Sequence, residues 1–303
     1  MSEGHAPLRG RVLAAFVALV MIWGSTWLVI KDQDGFASVG WDVVARFAVA
    51  TVAMFALVLA RRERVWLDRQ GMGLAAAVGL FQFCGNFEFV YRAEGELTSG
   101  IVACIYAVLM VPNAVLARIA LGTRVSGRFV VGSVVAMAGI ATLLASEARH
   151  GGAQGSVALG VVLTVGGLLC ASAANILQAL PVGRRQPMAT LVAWAMLFGT
   201  GCDVVVALAF DGPPPVVLAP RYWMGVGYLA VFGSVVTFPL YFGLIRSMGA
   251  GRAAYISVIL PVVAMGLSTL FEGYRWTWLA GVGSAVVLAG LLVALSGKAK
   301  VKG

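Results

Sequence analysis

Charge is what this chain has least of. Asp, Glu, Lys and Arg make up 12% of its 303 residues, against 60% hydrophobic residues and a mean hydropathy of +0.93. A soluble domain carries about 25% charged residues, so most of this surface must face lipid or other apolar helices. Histidine is nearly absent too. His5 and His150 both lie outside the apolar runs, which argues against a histidine relay or a zinc site inside a membrane. The four cysteines, Cys84, Cys104, Cys170 and Cys202, fall inside apolar runs with no C-x-x-C spacing. They read as small core residues and not as disulfides or metal ligands. No G-x-x-x-x-G-K-[ST] loop is present, so the chain itself does not hydrolyse ATP. Neither H-E-x-x-H nor a paired-aspartate pattern offers an intramembrane enzyme its constellation, and no cofactor is expected.

What is present is long apolar runs. A spanning helix needs about 20 predominantly apolar residues, and ten segments qualify: 12–30, 40–60, 72–92, 98–119, 127–146, 156–178, 187–210, 222–245, 252–271 and 276–295. The first follows Arg9 and Arg11 as a signal peptide would, but it runs too far without a cleavage site and reads as a retained helix. The net charge of +9 does not point to nucleic acid, because the basic residues sit in short loops. Lys31, Arg92, Arg149, Arg221 and Arg275 fall on one side, Arg46 lies within a span, and the other sixteen of the 22 Lys and Arg fall on the side of the N-terminus. That asymmetry predicts both termini in the cytoplasm. Trp41, Trp66, Trp223, Trp276 and Trp278 sit near span ends as interfacial anchors.

The chain also repeats itself. Tyr106 precedes Pro112 by six residues, and Tyr255 precedes Pro261 by six; Gly100 with Gly249 and Gly132 with Gly281 follow the same shift of 149. Two halves of five spans each, residues 1–150 and 151–303, are expected. Because five is odd, the second half must enter the membrane upside down. Inverted halves have two nearly equivalent arrangements open to opposite sides, which is the physical basis of alternating access around a midplane site.

Particular residues carry a resemblance: Trp23-Gly24-Ser25-Thr26-Trp27, Ala45-Arg46-Phe47, Pro112 followed by Leu121 to Ser126, and Pro261 with the Gly281–Gly290 tail. With these the chain resembles the drug/metabolite transporter superfamily, specifically its EamA-type permeases. Thr123 departs from the acidic residue usual there. The resemblance implies an all-α polytopic protein of ten transmembrane helices, arranged as two inverted five-helix repeats around a central cavity. Helices 1, 3, 4, 6, 8 and 9 would line that cavity, with 2, 5, 7 and 10 outside. It further implies a transporter of the inner membrane, with members that export amino acids, aromatic ones included.

Polar residues inside spans are the candidate site, since they cost free energy in lipid and face protein or water. Gln82 and Asn86 share a face of the third span, and Asn175 and Gln178 a face of the sixth. These amides either hydrogen-bond a solute or hold helices together. Tyr106 and Tyr255, each about 9 Å along its helix from its proline, could clamp an aromatic or amphipathic solute. Pro112 and Pro261 are candidate hinges. Trp23 offers a ring for stacking or cation–π contact, while Trp27 is close enough to the outer end to be an anchor. Arg46 and Glu88 lie at similar depth and are expected to form a structural ion pair, with Glu88 or Asp203 as the alternative coupling carboxylate. The single intramembrane cation disfavours phosphorylated substrates.

The expected function is export of small amphipathic metabolites, amino acids foremost. The competing expectation, export of lipophilic organic cations, requires a carboxylate in the cavity, for which Glu88 is the candidate. The glycine-rich fifth and tenth spans could support a homodimer or only pack within one chain.

Overall fold

The computed structural model describes residues 6–33, 35–122, 125–150, 155–248, 256–271 and 273–296. His5, Thr123 and Tyr255 fall outside them, as does the side chain of His150. Among the described residues ten membrane-length or near-membrane-length helical segments follow one another: α1 (Ala6–Gln33), α2 (Val39–Ala60), α3 (Arg69–Glu96), α4 (Ser99–Leu121), α5 (Gly127–His150), α6 (Val157–Ala179), α7 (Met188–Phe210), α8 (220–248), α9 (Ile256–Phe271) and α10 (Trp278–Leu295). The first eight are long and apolar enough to cross a membrane, and α9 and α10 are apolar over shorter described lengths. A one-turn helix, Pro181–Arg185, links α6 to α7.

Local chemistry sets the ends. Asp68 caps α3 by accepting from the Gly71 amide at 2.6 Å, Ser126 caps α5 through Phe129, and Thr277 caps α10 through Ala280. Each satisfies an amide that the first helical turn leaves without a partner. The αL residue after α4 is Gly122, φ +64, and the loop after α9 has Gly273, φ +69, a conformation that costs glycine little. Large apolar side chains such as Val52, Ile119, Val162, Val205 and Leu270 are exposed. In a bilayer this outward set faces acyl chains.

The two halves are inverted, and packing between equivalent helices shows it. α2 lies against α7: Thr51 Oγ1 meets Thr200 Oγ1 at 3.5 Å, Phe55 packs on Trp194, and Gly40 faces Ala207. Rising numbers on one helix meet falling numbers on the other, so the pair is antiparallel. Thr51 and Thr200 are 149 residues apart, so a residue here touches its own repeat counterpart. That can happen only where a pseudo-two-fold axis passes.

α5 and α10 follow the same rule by another route. A Cβ added to Gly132 would run into the backbone of Gly290 and Ala294, and one added to Gly290 into Gly132 and Ala136. Gly139 and Gly283 face one another in the same way. Small residues here permit the close backbone approach that packs helices where lipid supplies no hydrophobic drive. The glycine stripe is therefore consumed inside the monomer.

This reciprocity also corrects the register of the repeat. Gly132 corresponds to Gly283 and Gly139 to Gly290, a shift of 151, whereas a Cβ on Gly281 would meet nothing within 4 Å. The αL glycines, Gly122 and Gly273, and the caps, Ser126 and Thr277, obey the same shift. The second half has gained two residues between its proline and its αL glycine.

Candidate functional site

Between the halves lies a cavity of about 140 Å³. One water needs roughly 10–15 Å³ by the same measure, so the space suits one small solute. Its walls come from α1, α3, α4, α6, α8 and α9, as the resemblance implies, with one addition: α2 contributes Arg46. Among the described lining residues there is no Asp or Glu.

Irregular helices shape these walls. α3 passes through a π-turn over Gly79–Gly85 and α8 through another over Val231–Val236. These are matching places in the two halves, and π-turns often mark functional sites. In α3 the turn coincides with close contact to α7, where Gly79 faces the backbone of Ala195 and Gly199. In α8, Ser234 Oγ returns to the Leu229 carbonyl at 3.0 Å. α4 tightens to a 3₁₀ turn over Ala107–Leu109 just before Pro112, whose ring withdraws the N–H that an α-helix would aim at the Val108 carbonyl. Pro261 sits inside α9. Both prolines thus lie in cavity-lining helices, where irregular backbone is tolerated.

Five expected site residues line the cavity: Trp23, Gln82, Asn86, Tyr106 and Asn175. Tyr106 donates to Asn86 Oδ1 at 2.6 Å, and Asn175 Nδ2 donates to Asn113 Oδ1 at 3.4 Å. Two of the amides therefore already spend part of their capacity on neighbouring helices, combining the two expected roles. Gly167 leaves room for the Tyr106 hydroxyl, since a Cβ there would come within 2.5 Å of it. Trp23 packs edge-on to Phe238 and Tyr241, with centroids 6.0 and 5.0 Å away. Gln178 is not among the lining residues, and its buried Nε2 has no hydrogen-bond partner. Three residues from Asn175, it has turned out of the cavity near the end of α6.

The Arg46–Glu88 ion pair does not form. Glu88 Oε2 is held by Arg92 Nη2 at 3.0 Å, one turn along its own helix, and Arg92 also reaches Asp211 Oδ2 at 3.1 Å. Depth alone suggested the pairing, but Glu88 belongs to a network at the end of the bundle and Arg46 to the cavity. Arg46 is 1% exposed. Its guanidinium donates from Nε and Nη2 to Ser234 Oγ at 3.3 Å, from Nη1 to the Tyr91 hydroxyl at 3.3 Å, and from Nη2 to the Gly233 carbonyl at 3.4 Å. It lies over the Phe47 and Phe87 rings at 5.1 and 4.5 Å. A charge at this depth costs about 2.5–3.5 kcal/mol even on lenient insertion scales.

Several lining residues escaped the sequence reading. Trp27, expected as an anchor, lines the cavity and packs on Tyr106 at 5.4 Å. Its spacing of four from Trp23, one face of one helix, was the available signal. Phe238 and Tyr241, three apart on α8, and Phe87 beside Asn86 also line it. Their aromaticity alone could not separate them from ordinary core residues. Trp194 is structural: its Nε1 donates to the Val65 carbonyl at 2.8 Å and its ring packs on Phe55, Trp66 and Phe198.

Comparison with known proteins agrees with this architecture. The model of a family described as the EamA-like transporter family matches twice, over residues 10–145 and 158–296. An uncharacterized inner membrane transporter of Escherichia coli K12, YedA, is 27% identical over 293 residues, covering 92% of this chain and 90% of that protein. A probable amino-acid metabolite efflux pump of the same organism is 24% identical, covering 94% of both. A solved crystal structure of a protein superposes with a TM-score of 0.69 at 16% identity, covering 93% of this chain and 97% of the other; it speaks to the fold alone.

Proposed function

The chain belongs to the EamA-like transporter family, and from that premise we propose that it is a secondary transporter that exports small amphipathic metabolites, most of all amino acids including aromatic ones, from the cytoplasm. The protein is a multi-pass membrane transporter; its cargo, direction and mechanism are our reading. The observation that carries it is the cavity between inverted halves, walled by Trp23, Trp27, Phe87, Tyr106, Phe238 and Tyr241 and by the amides of Gln82, Asn86 and Asn175. Rings match the apolar part of an amphipathic solute, and the amides match its polar groups. The efflux-pump relative supports export and amino acids.

In this reading residues 1–150 and 151–303 rock against each other, with both termini in the cytoplasm of a cell whose inner membrane holds the protein. Pro112 and Pro261 let α4 and α9 bend while Tyr106 and Tyr255 close on the solute. The lipophilic-cation alternative loses its candidate carboxylate, because Glu88 is held by Arg92 outside the cavity lining.

The test is flux of radiolabelled phenylalanine through purified protein in liposomes, with and without a pH gradient, competed by a panel of amino acids and organic cations. Saturable phenylalanine flux competed by other amino acids is expected. Flux of organic cations with none of phenylalanine would overturn the reading.

A further inference from the structure

Among the described residues the cavity lining carries one charge, and no carboxylate is in contact with it. Arg46 is buried and lines the cavity, yet every hydrogen-bond acceptor it meets is neutral: a serine hydroxyl, a tyrosine hydroxyl and a backbone carbonyl. No carboxylate among the described residues comes within ion-pair distance of it. Glu88 is taken by Arg92, and Asp42, one turn before Arg46 on α2, bonds Tyr222 and reaches Arg46 only through the field it shares at Tyr91. The four contacts measure 3.3 to 3.4 Å, longer than the roughly 2.7–2.9 Å of a charge-assisted bond. Buried charges ordinarily hold a partner, because the low dielectric makes an uncompensated one costly, and an ionisable residue within a membrane span usually serves a function.

We infer that the missing partner is the cargo, and that Arg46 is the anchor for a carboxylate. This rests on the transport reading above and deepens it. A positive charge with no carboxylate in contact with it is matched by a monoanion; a phosphate dianion would overshoot, and a cation would be repelled in a poorly screened space. The planar guanidinium can meet both carboxylate oxygens with parallel N–H donors, and the Phe47 and Phe87 rings fix its plane. The aromatic wall then takes the apolar body of the same molecule. No acidic group among the described lining residues waits for an ammonium, so the α-amino group of an amino acid is accepted but dispensable. The site recognises an apolar or aromatic carboxylate, and amino acids satisfy it through that group.

Three probes of one shape test this: phenylalanine, 3-phenylpropanoate (its deaminated acid) and phenethylamine (its decarboxylated amine). Binding is read on purified wild-type protein as ligand-induced thermal stabilisation, separately from flux. The two acids should bind within a few-fold of each other and phenethylamine at least about tenfold more weakly. Arg46→Gln should weaken both acids by about tenfold or more, leaving phenethylamine unchanged or tighter, and Arg46→Lys should retain part of the preference. Equal binding of the amine and the acids, or an Arg46→Gln protein that still prefers acids, would overturn the anchor. If Arg46→Gln does not fold, the wild-type series decides alone. Acid-selective binding without phenylalanine flux would sink the export reading and leave the anchor standing. Phenylalanine flux with carboxylate-blind binding would do the reverse.

Discussion

The two halves of the molecule share a skeleton and differ in where they place charge. Under the 149-residue relation that brings Thr51 onto Thr200, Arg46 of α2 falls opposite Ala195 of α7, and Asp203 of α7 falls opposite Met54 of α2. All four are buried. Arg46 lines the cavity. Asp203 does not; it is 0% exposed and is approached by the Cys84 thiol of α3. The matching helices of the two halves thus enclose the cavity, whereas one residue of one half, Arg46, gives it a charged wall. A symmetric chamber with an asymmetric anchor can hold a solute in one orientation while the surrounding helices exchange roles.

The comparison breaks most readily at the glycines. Gly132→Val or Gly290→Val should cost about 3 kcal/mol or more, since the added atoms meet backbone that cannot yield, and should abolish recovery of monodisperse protein in detergent. Gly281→Ala should be neutral or gain up to about 1 kcal/mol from helix propensity. Equal damage at Gly281 would restore the 149-residue register for α10. Next in size is the buried carboxyl of the second half: Asp203→Leu should stabilise the protein by about 1–2 kcal/mol, because it removes polar atoms from an apolar setting, seen as a raised unfolding temperature, with phenylalanine flux preserved because α7 does not line the cavity. Lost flux at unchanged stability would instead mark Asp203 as a coupling group.

Tyr106→Phe removes the donor to Asn86. It should weaken solute binding by about fivefold, corresponding to roughly 1 kcal/mol, and Tyr255→Phe should match it if both halves close on the cargo. A silent Tyr255→Phe would make the clamp one-sided. The smallest effect belongs to the axis: Thr51→Ala or Thr200→Ala should change stability by no more than about 0.5 kcal/mol, because the hydroxyl that remains keeps its bond to the carbonyl four residues back and the 3.5 Å contact between the two is weak.

Much of this is legible in the sequence. Each of the ten expected spans falls on an apolar helix among the described residues, eight of them long enough to cross a membrane, because hydropathy over about 20 residues is a strong signal. The helices that wall the cavity were implied by the resemblance, and Trp23, Gln82, Asn86, Tyr106 and Asn175 do line it. Gln178 was misplaced although it shares a face with Asn175, because an arc of one helix spans both a cavity and a protein contact. Arg46 was assigned a partner by depth, and depth carries no azimuth; two residues at one level can face opposite ways. Trp27 was assigned to the membrane interface by the same one-dimensional measure.

What the amino-acid order determined by itself is the membrane-spanning architecture, its duplication and, through an odd number of spans per half, its inversion, since these follow from apolar length and parity along the chain. Only the tertiary structure decided which way each helix is turned, and with it the 151-residue register of α5 and α10, the π-turns in α3 and α8, and a guanidinium left facing the cavity without an acid. Helix rotation is set by contacts between segments far apart in sequence, where backbone meets backbone at a glycine or a side chain finds a neighbour, and no periodicity within a single segment records them.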